Sequence, residues 1–484
     1  GNISGNGNFA RMGGNATLTM ESANAYAGAT TLMGGVTTLR DNATLLNTSS
    51  IDINYASLLL RNNDNLQTDI ADRINNAAPI TLRGGLLDFQ GRALMASSEV
   101  FGTLTSDQGA NRITSSTGGG GSFNSAAITF TSLTRSNGST VDFSGSILGQ
   151  AGNQGTINFT TAPATVGDQL LGSWAIANTT DYAAYNSTMG VGAVGSGGFT
   201  GYDWQDIATA NVAPNTGIFA AGNVTNLNAT AAASILLPAG TTNTGLLRFG
   251  GGFTNELFFT AGTDTLNLTL GGILRSNNNN TTNIGTTAVR GIITSGISEL
   301  VVYNNQGTTT INSSIQGATK LIKSGGGTLT LTAPNTYSLG TVINQGTVNI
   351  SPTITDGTVV VIPNGGLTIN GGIQNQAVTV TQSTQGSIGS TNDVTINGRA
   401  TLTLTGNNTL NSFTLNNNGG EGNPTLAVGS GILTVSSATP FTATSSNAST
   451  TNTISGGSVL LTNGANTIDV GAIAVGSQVY NTIA

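Results

Sequence analysis

The sequence predicts an all-β chain folded as a solenoid. Three observations predict it: short strand-like runs from end to end, closely spaced turn signals, and internal repeats. The runs include Ala16–Met20, Ala127–Phe130, Asp264–Leu270 and Val359–Ile362. Many alternate an apolar residue with Thr or Asn, the period of a strand with one buried face. Gly-Gly, Asn-Gly and Ser-Gly pairs separate them about every 8 to 12 residues. Helical periodicity is confined to 69–77, where Ile70 and Ile74 stand four apart.

The chain repeats itself. Thr17–Tyr26 matches Thr328–Tyr337 and stays in register through Gly35 and Gly346, so that Asn24 and Asn335 lie 311 residues apart. A third copy, Thr401–Leu410, has Leu410 where the others have tyrosine. The unit reads as strand, Asn-centred turn, strand, turn, strand: Thr328–Thr332, Gly340–Asn344 and Thr347–Ile350, with Gly346 between the last two. Such a unit cannot bury its apolar face alone; stacked coils bury a continuous core. Asn at the turns tolerates left-handed backbone and can hydrogen-bond along the stack. Coils of roughly 20 to 25 residues are expected. An array of β-sandwiches is the rival architecture, and it would need linkers about every 100 residues.

Composition narrows function. The 484 residues include 69 Gly, 14 Lys and Arg, 21 Asp and Glu, no Cys and no His, for a net charge of −7. A thiol nucleophile, a Cys/His zinc site, a Ser–His–Asp triad and a disulfide framework are excluded. So few cations argue against nucleic-acid binding. No run reaches the roughly 18 apolar residues of a transmembrane helix. Low charge also suggests few ion pairs and a shape insensitive to salt. Gly1-Asn2-Ile3-Ser4 has neither an initiator Met nor a basic region followed by an apolar one, which reads as a processed chain or a piece of a longer one.

The alternation fades between Pro163 and Pro214, where both tryptophans lie, so the expected organisation is solenoid over 1–162, an insertion or lateral subdomain over 163–214, and solenoid again over 215–484. Trp174, Tyr202, Asp203, Trp204 and Asp206 form the one candidate contact surface. They are read first as the private core of that subdomain. The second reading is a carbohydrate platform, with aromatic faces stacking on sugars and carboxylates binding hydroxyls. No catalytic residue, metal ligand or cofactor is expected. The acids are scattered, with Asp203 and Asp206 the closest pair in the insertion, and the calcium-binding Gly-Gly-x-Gly-x-Asp repeat is absent.

Leu321–Leu331, followed by Asn335-Thr336-Tyr337 and Thr341–Val348, resembles the autotransporter-associated β-strand repeat of bacterial surface proteins. Gly5–Val36 resembles a second copy, with Arg11 at the place of Lys323, one residue inserted near Gly14, and Met33 at the place of an Asn. The resemblance implies a right-handed parallel β-helix displayed outside a bacterial cell as an adhesive or structural passenger. The expected function is a rod- or fibre-forming extracellular structural protein. The alternatives are an adhesin that binds glycan or protein through 163–214 and, more weakly, a polysaccharide-degrading β-helix. The expected partner is a second copy joined head to tail or the remainder of a longer chain. Strand-like runs at both ends, Gly1–Phe9, 472–475 and 478–483, motivate that expectation, and surface glycans are a further partner to be considered.

Overall fold

The computed structural model describes residues 1–471, 473–475 and 478–480, apart from 120–123, 151, 153–154, 168, 208–210, 215–218, 230–232, 252, 277–279, 354–358, 418–421 and 446–450. Within it, the side chains of 204–207, 211–214, 229, 233, 473–475 and 478–480 are not described. The described residues contain no α-helix, and one 3-10 turn at Ile373–Asn375 interrupts a chain of β-strands. Contacts divide the chain into two units. The first is Gly1–Gly201 with Gly372–Gln376 and Asn418–Glu421; the second is Tyr202–Gly371, Ala377–Asn417 and Gly422–Ala484. The division falls inside 163–214.

In the first unit, Phe9–Met12, Thr30–Met33, Ile51–Asn54, Ile80–Arg83, Leu104–Gln108 and Leu133–Arg135 stack in parallel as one sheet. A second sheet runs beside it from Thr17–Met20 through Val36–Arg40, Ser57–Arg61, Leu86–Gln90 and Ala110–Ser116 to Thr140–Gly145. Consecutive strands in a sheet belong to consecutive coils, which is the architecture of a parallel β-helix. Inward positions alternate with half-exposed ones, as in Ile51, Ile53, Ile80 and Leu82, all buried. Phe101, Phe130 and Phe159 stack at 5.2 and 5.8 Å between ring centroids, one ring per coil, so a slender core does admit aromatics when they align along the stack.

The parallel order ends in an antiparallel meander. Ala175–Ala177 pairs with Thr140–Gly145 in parallel, then Asp181–Asn186 and Gly190–Ala193 follow antiparallel. Tyr185 packs edge-on against Phe159 and donates its hydroxyl to the Phe159 carbonyl at 3.0 Å. The meander thereby covers the last aromatic of the column.

The second unit repeats the plan with a longer stack. One sheet contains Asp203–Ile207, Val224–Ala229, Thr241–Gly251, Thr265–Arg275, Glu299–Asn304, Lys320–Ser324 and Thr341–Ile343, then continues to Ile468–Val470. The facing sheet contains Asn211–Pro214, Ala233–Leu236, Asn255–Phe258, Thr281–Ile284, Thr308–Ile311, Thr328–Leu331 and Thr347–Ile350, then continues to Thr453–Ser455. Thr328 pairs with Thr347, so the outer strands of the repeat lie on top of each other while Thr341–Ile343 belongs to the other sheet. Coil length varies: Thr308 to Thr328 is 20 residues, Thr347 to Thr379 is 32.

Two expectations need correction. Residues 69–77 are irregular, with Ile74 in an isolated parallel bridge to Leu45. The spacing of Ile70 and Ile74 is incidental, because Arg73 between them points into the core and is fully buried. Ion pairs are also a feature of the first unit. Arg83 joins Asp52 at 2.5 Å and Asp107 at 2.8 Å, Arg61 joins Asp88 at 2.6 Å, and Arg112 joins Asp142 at 2.7 Å. Each links neighbouring coils. The terminal strands Ile473–Val475 and Gln478–Tyr480 pair antiparallel with each other, and 472 and 481–483, read as strand from the sequence, lie outside the described residues.

Candidate functional site

The repeated motif folds around a cation. Lys323 sits at an inward position of Lys320–Ser324 and is fully buried. Its ammonium donates to the carbonyls of Ser324 at 2.7 Å, Gly325 at 2.6 Å and Gln345 at 3.0 Å. The first two close the glycine turn; the third reaches the next coil. Burial pulls the amine down to about 7. In the other copy the Arg11 guanidinium donates to the carbonyls of Gly34 and Ala16. Gly34 precedes Gly35 as Gln345 precedes Gly346, so the two cations hold the same turn. Gly346 has φ +80°, and a Cβ there would stand 2.5 Å from the carbonyls of Gly325 and Gly327, which fixes glycine at this crossing of coils.

The rest of the repeat is bound the same way in both copies. Tyr26 shares a hydrogen bond with Thr30 at 2.7 Å, and Tyr337 with Thr341 at 2.6 Å. Asn24 accepts from the Ile3 amide at 3.0 Å and Asn335 from the Ile315 amide at 2.8 Å, each on the preceding coil. In the third copy Asn408 accepts from Gly386 at 3.0 Å, and Leu410 fills the tyrosine's place in the core.

Asparagines continue this corner along the second unit. Asn370 donates to Asn344, Asn397 to Asn370 and Asn416 to Asn397, at 2.8, 2.8 and 2.9 Å, and Thr444 closes the ladder on Asn416 at 2.7 Å. Asn370, Asn397 and Asn416 each accept from one coil and donate to another, which pairs these polar groups along the stack.

The candidate contact residues are split between the units. Trp174, in the first unit, is half-buried against the core, and the Arg135 guanidinium lies 5.1 Å over its ring. Tyr202, in the second, is buried, with the Arg248 guanidinium 4.9 Å over its ring. One face of each ring therefore carries a cation rather than standing open. Asp203 is exposed. The side chains of Trp204 and Asp206 lie outside the described residues; their backbone pairs with Asn226 and Asn228.

A buried acid–base neighbourhood in the first unit has no sequence signal beyond the residues themselves. Glu99 is buried and accepts the amides of Arg73 and Ile74 at 3.0–3.1 Å. Burial pushes its carboxyl up to about 8, with those two amides opposing. The Arg73 guanidinium donates to Asn62 Oδ1 at 2.7 Å and to the carbonyls of Ala43, Arg61 and Thr68 at 2.8, 3.0 and 3.3 Å. All of these bonds secure loops to the core.

Comparison with known proteins agrees with this geometry. Residues 13–39 and 321–350 match the passenger-associated-transport-repeat family, the two segments held by Arg11 and Lys323. Over 367 residues, 72% of its length, the chain is 31% identical to the adhesin BmaC autotransporter of Brucella suis biovar 1 (strain 1330). It spans about a tenth of the length of that protein. No solved structure matches. The chain is an autotransporter-passenger-like protein of the bacterial cell surface or extracellular space.

Proposed function

We propose that this autotransporter-passenger-like, adhesin-like chain is a structural segment of a bacterial surface protein, a β-solenoid that holds its form outside the cell. The observation that carries the reading is the repeat itself. Its cation and asparagine tie one coil to the next, its tyrosine pins the turn that follows it, and Lys323, Asn335 and Tyr337 are all buried. The charged groups of the first unit are used likewise, with Arg83 held between Asp52 and Asp107 on the coils either side. This supports a non-enzymatic role.

End-to-end association, or continuation into further coils, is part of the proposal. Ile454, Val459 and Ile468 are 40%, 40% and 52% exposed, whereas Leu426, Leu433 and Phe441, their partners one coil earlier, are buried. A coil from a second copy or from a longer polypeptide would cover them. Sedimentation of the purified chain, with electron microscopy of native surface material, tests this. Concentration-dependent linear species or continuous fibres are expected; discrete particles of one chain, monodisperse at high concentration, would contradict it.

The second reading is adhesion through 163–214. It is favoured by the name of the relative and by the partial exposure of Trp174. Binding to a glycan array that is lost in Trp174→Ala would establish it, and a blank array would remove glycans as the ligand.

A further inference from the structure

Asn-Gly pairs mark turns along this chain, and they are also the pairs most open to an internal reaction. Glycine has no Cβ to crowd its backbone nitrogen, so that nitrogen can attack the carboxamide carbon of the asparagine before it. The second unit holds such pairs in two opposite environments.

Asn370-Gly371 and Asn397-Gly398 belong to the asparagine ladder, and both asparagines are buried. The Asn370 carboxamide donates to Asn344 and accepts from Asn397, at 2.8 Å each, and that of Asn397 accepts from Asn416 at 2.9 Å. The nitrogens that would attack are held as well. The Gly371 amide donates to the Asn397 carbonyl at 2.7 Å, and the Gly398 amide to the Asn416 carbonyl at 2.8 Å. Both reacting groups of each pair are therefore fixed to a neighbouring coil.

Asn463-Gly464 is different. Both residues are exposed, in the turn between Ser458–Leu461 and Ile468–Val470. The Gly464 amide donates no hydrogen bond among the described residues, so its proton can pass to solvent. Asn463 Oδ1 accepts from the Ala465 amide at 3.3 Å, which folds the carboxamide back over the intervening Gly464 peptide. The same donor faces the oxygen on which negative charge gathers when Cγ is attacked. Asn466 donates to the Asn463 carbonyl at 2.6 Å and holds the turn in this form.

We propose that Asn463 is a site of self-modification, deamidating through a succinimide, while the ladder keeps Asn370 and Asn397 intact. The Gly464 nitrogen bonds to Cγ, the Cγ–Nδ2 bond breaks, and ammonia leaves with the proton that Gly464 gave up to solvent. Water then opens the ring at either carbonyl and leaves aspartate or isoaspartate. No electrons are exchanged, and the turn gains one negative charge. In the ladder the same product would set a carboxylate against the oxygen of the next asparagine and remove a donor, which the sealed geometry prevents.

The test incubates the full chain, native and in guanidinium, side by side in mildly alkaline buffer. Peptide mass spectrometry reads deamidation at each site, and isoaspartate methyltransferase labels the branched product. Native Asn463 is expected to react at least as fast as in the denatured chain. Asn370 and Asn397 should react about a hundredfold or more slowly than when denatured, because a packed coil must first open. A methyl group added at Gly464 meets no atom within 4 Å, so Gly464→Ala leaves the turn intact, crowds the nitrogen and should remove most of the reaction at Asn463. A native rate at Asn463 below its denatured rate, ladder pairs reacting at their denatured rates, or a rate unchanged by Gly464→Ala would each overturn the proposal.

Discussion

The ammonium of Lys323 donates a 3.0 Å hydrogen bond to the carbonyl of Gln345 on the next coil. Arg11 makes the same connection to Gly34 in the other copy of the repeat. In both, a cation, fully buried at Lys323 and half-exposed at Arg11, binds the turn in front of a glycine that no larger residue could replace.

Lys323→Met keeps the side-chain volume and removes three charged hydrogen bonds. A loss of about 3 kcal/mol is expected in the second unit. Residue-resolved hydrogen exchange should place it in the coils of 320–346, with the first unit unchanged.

The pH response of that site has a defined sign. The folded amine titrates near 7, below its ordinary 10.5, so the unfolded chain binds the proton more tightly. The stability of the second unit should therefore rise between pH 7 and 10.5, and Lys323→Met should flatten this part of its profile. Melts across that range, read by exchange in the second unit, check it.

Glu99 acts oppositely. Its folded carboxyl titrates near 8 against an ordinary 4.5, so the folded state holds the proton more tightly. The first unit should lose stability as pH rises from 4.5 through 8. Glu99→Gln retains an oxygen for the Arg73 and Ile74 amides, and it should remove the slope and be more stable than the native chain at pH 8.5. Thermal melts of both proteins at pH 5 and 8.5 check the sign.

The two tyrosines distinguish redundant from single bonds. Thr30 also shares a 2.8 Å hydrogen bond with Thr48, whereas Thr341 bonds its hydroxyl to Tyr337. Tyr337→Phe should cost about 1–1.5 kcal/mol and Tyr26→Phe less than half of that, measured by denaturant unfolding.

Much of this architecture is visible in the residue order, and the reason is local. Thr328–Leu331 alternates with a period of 2, and Gly346 must turn, so strand and corner can be read from a few neighbours. What escapes the sequence depends on coil length. The ladder Asn344, Asn370, Asn397 and Asn416 has unequal spacing because each coil carries a different loop, and no fixed period exposes it. Phe101, Phe130 and Phe159 do recur every 29 residues, a signal that marks a core column once stacking is considered. Arg73 and Glu99 meet only because a whole coil separates them. The residue types of Trp174 and Tyr202 single them out in the sequence, but the guanidiniums over their rings, which come from distant strands, do not show there.

The central claim is that successive passages of the chain lie directly on one another in parallel. Thr310, Thr330 and Asn349 occupy one outward column on three consecutive coils. The chain has no cysteine, so Thr310→Cys with Asn349→Cys places two nitroxide labels and no others. Two rungs of about 4.8 Å put these sites roughly 10 Å apart. Strong dipolar broadening of the continuous-wave EPR spectrum, relative to the singly labelled chains, is the predicted result. A spectrum equal to the sum of the two single-label spectra would contradict the account.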